Sequence, residues 1–131
     1  MHRLALVLTL VAGAVGGCGG SDSDDSEEDA TPAQAIAEIG RVRALLDEAV
    51  VVYRAGRREA AEETVGEAYV EHFEKIEGPL GERDDELMEE LEEAIATKLR
   101  DDMKAGEPAA EIEAAVAEIK RELDEAVTAL S

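Results

Sequence analysis

Carboxylate side chains are the most concentrated chemical groups in this chain, and they gather around its middle. Glu67, Glu71 and Glu74 recur at four- and three-residue spacing, which places them on one face of a helix with His72 beside them. Residues 82–93 then hold eight Asp or Glu side chains and a single base. Oxygen-rich clusters of this kind suit hard cations such as calcium, and Glu, His and Tyr together can hold iron.

The acids that could share a metal ion are those that the fold brings together. A hairpin of two antiparallel helices would bring the end of the first acidic stretch beside the start of the second. The candidate metal ligands are therefore His72, Glu74, Glu77, Glu89, Glu92 and Glu93. Iron is the first cation to consider, with calcium as the alternative. The competing interpretation is a solvated acidic face without a metal, in which Glu71 and Lys75 form an i, i+4 ion pair.

Motifs for catalysis are missing from the chain. The sequence contains no HExxH motif, no nucleophile elbow, no Gly-rich phosphate loop and no Glu-x-x-His pair. We therefore expect a protein that is not an enzyme.

The overall composition excludes several other classes of function. The chain has 131 residues, which allows one domain at most. Its 33 acids and 13 bases give a net charge of -20, and such a surface repels nucleic acids. One Cys permits no internal disulfide, and two Tyr, one Phe and no Trp provide no aromatic stacking platform.

The first thirty residues have the composition of a targeting segment and a tether. A short basic start is followed by a 12-residue apolar run, Leu4 to Val15, which is too short to span a bilayer. Small residues then precede Cys18, as in a bacterial lipobox, so we expect a lipoprotein signal peptide over 1–17 and lipidation of Cys18. Residues 18–30 are acidic and lack large apolar side chains, which predicts a disordered linker. The expected location is extracytoplasmic, on the bacterial cell membrane.

Residues 31–131 carry four apolar stripes at helical spacing, and the chain is predicted to be all-α. A capping box at Thr31–Gln34 starts the first helix, and Gly56, Gly78-Pro79 and Gly106 are predicted to end the first three. Short connections between helices of similar length predict an up-down-up-down four-helix bundle. The alternative is one long helical hairpin that pairs with a partner. The stripes are Ile36, Ile39, Val42, Leu46, Val50 and Tyr53; Ala61, Val65, Tyr69, Phe73 and Ile76; Leu87, Met88, Leu91, Ile95, Leu99 and Met103; and Ile112, Val116, Ile119, Leu123, Val127 and Leu130.

Two stretches of this domain, 53–77 and 91–106, resemble the extracytoplasmic helical domain attached to bacterial high-affinity iron permeases. The resemblance rests mainly on the run Ala68-Tyr69-Val70-Glu71-His72-Phe73-Glu74 and extends over about residues 36–129. The chain has no Arg-Glu-Gly-Leu-Glu motif and no transmembrane helices of its own, so it is not the permease. The resemblance implies a free-standing, lipid-tethered accessory module whose matching polar positions are Tyr69, His72, Glu74, Glu77 and Glu92.

Two functions are therefore expected from different classes. The first is a metal-binding accessory module that collects iron outside the membrane and passes it to an iron permease or another iron-uptake protein. The alternative is a structural or protein-interaction envelope lipoprotein without a specific metal site.

Overall fold

The computed structural model describes residues 30–131. The predicted signal peptide 1–17, the lipidation site Cys18 and all of the acidic linker except Ala30 lie outside the described residues. Within residues 30–131 the protein is all-helical, with four long helices and no strand. None of these helices combines the length and the apolar character needed to cross a membrane.

The four helices are numbered α1 to α4 along the chain, and two of them contain a π-helical stretch. Helix α1 is Pro32–Arg54 and helix α4 is Ala109–Leu130. Helix α2 consists of Arg58–Glu67, the π-helical stretch Ala68–Phe73 and Glu74–Arg83. Helix α3 consists of Asp85–Glu93, the π-helical stretch Ala94–Lys98 and Leu99–Ala105.

Local sequence signals place most of the helix ends. The capping box that opens α1 is confirmed, because Gln34 N donates to Thr31 Oγ1 at 3.2 Å and Thr31 N donates to Gln34 Oε1 at 2.8 Å. Asp84 caps α3 by accepting a hydrogen bond from Leu87 N at 3.1 Å. After α3 the chain turns at Gly106, whose φ of 72° favours a residue without a Cβ.

The predicted end of α2 at Gly78-Pro79 is wrong. The helix continues through Pro79 to Arg83, and Asp84 alone separates it from α3. Proline removes one backbone donor from the helix, which disfavours an interior position. Pro79 and Leu80 are both buried, however, so continuing the helix keeps apolar side chains in the core that an earlier turn would displace.

The four helices enclose one hydrophobic core. Helix α1 packs against α2 and α4, while α3 packs against α2 and α4. The predicted stripes are confirmed as the source of this core, although Ile36, Val50, Tyr69, Met88 and Val127 are only half-buried at its border. The buried hydrophobic residues lie between Ala35 and Leu130, so the described part of the chain contains its own core.

Candidate functional site

Two of the predicted ligands meet at the hydroxyl of a tyrosine. Tyr69 Oη lies 3.0 Å from Glu77 Oε1 and 3.3 Å from Glu92 Oε1, so one phenolic proton is placed between two carboxylates. Tyr69 and Glu77 belong to α2, whereas Glu92 comes from α3. The expected convergence of acids from these two helices therefore occurs at this pair, with Tyr69 as the third oxygen donor.

The π-helical stretch of α2 explains how Tyr69 and Glu77 share a face. Residues eight positions apart in a regular α-helix differ in direction by about 80°, since each residue turns the helix by about 100°. A π turn holds about one residue more than an α turn. Tyr69 lies in the π-helical stretch Ala68–Phe73, which takes up about one extra residue before Glu77. The side chains of Tyr69 and Glu77 therefore point in nearly the same direction, as those of residues seven apart do in a regular α-helix.

Burial and negatively charged neighbours favour the protonated forms of Tyr69 and Glu77. Burial raises the pKa of Tyr69, and the hydrogen bonds and charges of Glu77 and Glu92 raise it further. Burial also raises the pKa of Glu77. The hydrogen bond from Tyr69 acts in the opposite direction, and repulsion from Glu92 and Glu74 adds to the increase, so the net change is upward. A cation bound at the three oxygens would replace this repulsion with attraction.

His72 is directed to a different partner from the one the sequence suggests. Its Nδ1 lies 2.6 Å from Oε2 of Glu38 on α1, and Glu38 Oε1 also accepts a hydrogen bond from Arg41 Nη1 at 2.6 Å. Lys75 Nζ approaches the same carboxylate at 3.9 Å. Burial alone would raise the pKa of Glu38, but the hydrogen bond to His72 and the charges of Arg41 and Lys75 hold it below its usual value.

The remaining predicted ligands lie on the surface. Glu74, Glu89 and Glu93 are exposed, and Glu74 acts on the site through its repulsion of Glu77. In the described part of the chain, no group of three or more His, Cys, Asp or Glu residues is close enough to hold a metal ion. The oxygen set that the structure brings together is therefore Tyr69, Glu77 and Glu92.

Sequence reasoning missed two buried acids. Glu38 and Glu62 are each only 8% exposed, and each is paired with bases from other turns or helices. Glu62 Oε1 accepts hydrogen bonds from Arg100 Nε at 2.6 Å and lies 2.5 Å from Arg100 Nη2, with Lys104 Nζ at 3.5 Å. The one sequence feature that could have indicated their burial is their position along the helix. Glu38 directly precedes the buried Ile39, and Glu62 directly follows the buried Ala61.

Comparison with known proteins adds no relative. The chain matches no family model, and no curated protein or solved structure is significantly similar to it.

Proposed function

We propose that this protein is an extracytoplasmic lipoprotein that binds iron at the oxygen atoms of Tyr69, Glu77 and Glu92 as an accessory module of iron uptake. The observation that carries the proposal is the position of the Tyr69 hydroxyl, within 3.3 Å of carboxylate oxygens from two different helices. These three residues are also among the five polar positions that the resemblance to the domain attached to iron permeases implies, the other two being His72 and Glu74.

The chemistry of the three donors favours a ferric ion. Two carboxylates and a phenolate bring three negative charges, which a trivalent cation neutralises. Metal ligands must be deprotonated, so binding has to displace the protons that the raised pKa values of Tyr69 and Glu77 retain. Calcium is the alternative cation, and it would use the carboxylates without requiring phenolate.

The surrounding residues have a supporting role in this proposal. Glu74, Glu89 and Glu93 belong to the wider acidic surface that raises the local concentration of cations, whereas His72 pairs with Glu38. The four helices form an up-down-up-down bundle, and the lipid on Cys18 holds that bundle at the membrane, where an iron permease or another iron-uptake protein receives the metal.

The test is titration calorimetry of residues 30–131 with ferric nitrilotriacetate, ferrous ion and calcium. We expect saturable ferric binding that strengthens as the pH rises and increases the melting temperature, as ligand linkage requires. A tyrosinate-to-iron charge-transfer absorption band should appear on binding and be lost in Tyr69→Phe.

Matched variants separate a defined site from general attraction to an acidic surface. Glu77→Gln and Glu92→Gln should each weaken ferric binding at least tenfold, whereas Glu71→Gln removes an exposed charge from the same helix and should change it less than twofold. Equal losses in the three variants, or binding abolished by 0.3 M salt, would instead support the alternative of a structural or interaction lipoprotein.

A further inference from the structure

A shallow groove lies between α3 and α4, away from the tyrosine and its two carboxylates. Its volume is about 100 Å³, and it borders the π-helical stretch of α3. Four of its lining residues are apolar and buried or half-buried, and these are Ala94, Leu99, Ala115 and Ile119. Two acids, Asp102 and Glu118, and one base, Lys98, complete its lining. The groove thus combines an apolar floor with a mainly acidic edge.

A carboxylate without a donor lies next to this groove. Glu122 is one turn beyond Glu118 on α4, and within residues 30–131 no donor reaches its buried Oε2 atom. Buried polar atoms are normally hydrogen-bonded. Burial and repulsion from Glu118 and Glu90 raise the pKa of Glu122, and the charge of Arg121 offsets this increase only in part.

The size of the groove indicates the class of ligand. Pockets for small molecules usually measure about 300–1,000 Å³, so a space of about 100 Å³ accommodates a single aliphatic side chain. A second copy of this chain is a poor occupant, because residues 31–131 carry a net charge of -15 and two copies repel each other. The net negative charge of residues 31–131, the two acids that line the groove and the Glu122 carboxylate beside it are complementary to a basic partner.

We propose that the groove between α3 and α4 docks a basic amphipathic helix of a partner protein, with one aliphatic side chain against Ala94 and Ala115 and one Arg or Lys paired with Glu122. Ala115 and Glu122 are seven residues apart, which is about 10 Å along α4. A partner helix lying along the groove therefore needs its aliphatic anchor and its basic residue about two turns apart on one face.

The test uses a synthetic peptide with these features and residues 30–131, which contain the whole described core. The peptide is an Ala-rich helix with a central Leu and an Arg seven residues to either side. A control peptide of the same composition places the Leu and Arg residues on opposite faces. Affinity is measured by titration, and the contact surface is mapped by amide chemical-shift changes.

The expected result is binding of the matched peptide at least tenfold tighter than the control, with shift changes concentrated on α3 and α4. Ala115→Leu, which fills the groove without changing charge, and Glu122→Gln should each weaken binding about tenfold. The exposed neighbours provide matched controls, so Ala114→Leu and Glu125→Gln should change it less than twofold. Circular dichroism confirms that each variant is folded.

Three results would overturn the proposal. These are no binding of the matched peptide, equal binding of both peptides, and equal weakening by the groove variants and their controls. The last two would show that the acidic surface attracts any cation. The variants leave Tyr69, Glu77 and Glu92 unchanged, so failure here is independent of the iron-binding proposal.

Discussion

The buried ion pair between α2 and α3 provides the sharpest prediction for stability. Substitution of Arg100 by Met keeps an aliphatic chain of similar length but removes both short contacts to Glu62, whose side chain is only 11% exposed. Removing one partner of a buried pair typically costs about 3–5 kcal/mol, because the other charge stays buried and unpaired. Lys104 remains 3.5 Å from the carboxylate, and Arg100 is 30% exposed, so we expect a loss of about 2–3 kcal/mol.

The loss is measured by urea denaturation of residues 30–131, followed by circular dichroism. For a domain of this size it corresponds to a melting temperature lower by about 10–20 °C. The double variant Glu62→Leu with Arg100→Met removes both charges and should regain most of the stability. Arg121→Met breaks only exposed ion pairs with Glu118 and Glu125 and should leave the urea midpoint nearly unchanged.

A loss below about 1 kcal/mol for Arg100→Met, or a double variant no more stable than the single one, would refute the assignment of Glu62 as a buried charge that depends on Arg100.

Further predictions concern glycines and buried acids, each measured by denaturation against wild type. Gly40→Ala should raise stability by about 0.5–1 kcal/mol, because a Cβ there meets no heavy atom within 4 Å. Gly106→Ala should lower it by about 1 kcal/mol, because φ is 72°, a backbone conformation that residues with a Cβ rarely adopt. Glu77→Gln should be more stable than wild type at pH 7, where the buried charge is costly, and the difference should vanish below about pH 4.3 as Glu77 becomes protonated in both states. Glu38→Gln should show the opposite sign. The lowered pKa of Glu38 stabilises the fold above about pH 4.3, and this contribution is lost as the pH falls through the folded-state value.

Part of the candidate site could be predicted from the sequence, because two of its three residues are acids from helices that follow each other along the chain. Glu77 and Glu92 were both expected, and they meet at Tyr69. His72 was assigned to the same set because it adjoins these acids in sequence, whereas its imidazole pairs with Glu38 on α1. Neighbours along a helix point in different directions, so proximity in sequence does not select a common partner.

The amino-acid sequence by itself determined the helical class, the four apolar stripes and most of the helix ends. These features depend on residue spacing, on the capping box at Thr31 and Gln34 and on the glycine at the end of α3, which all act within a few residues. Only the tertiary structure decided that α2 continues through Pro79, since burial in the core outweighs one lost hydrogen bond. The pairing of Glu62 with Arg100 and the meeting of Glu92 with Tyr69 likewise depend on how two helices are rotated against each other, and that rotation is set by packing of the whole core.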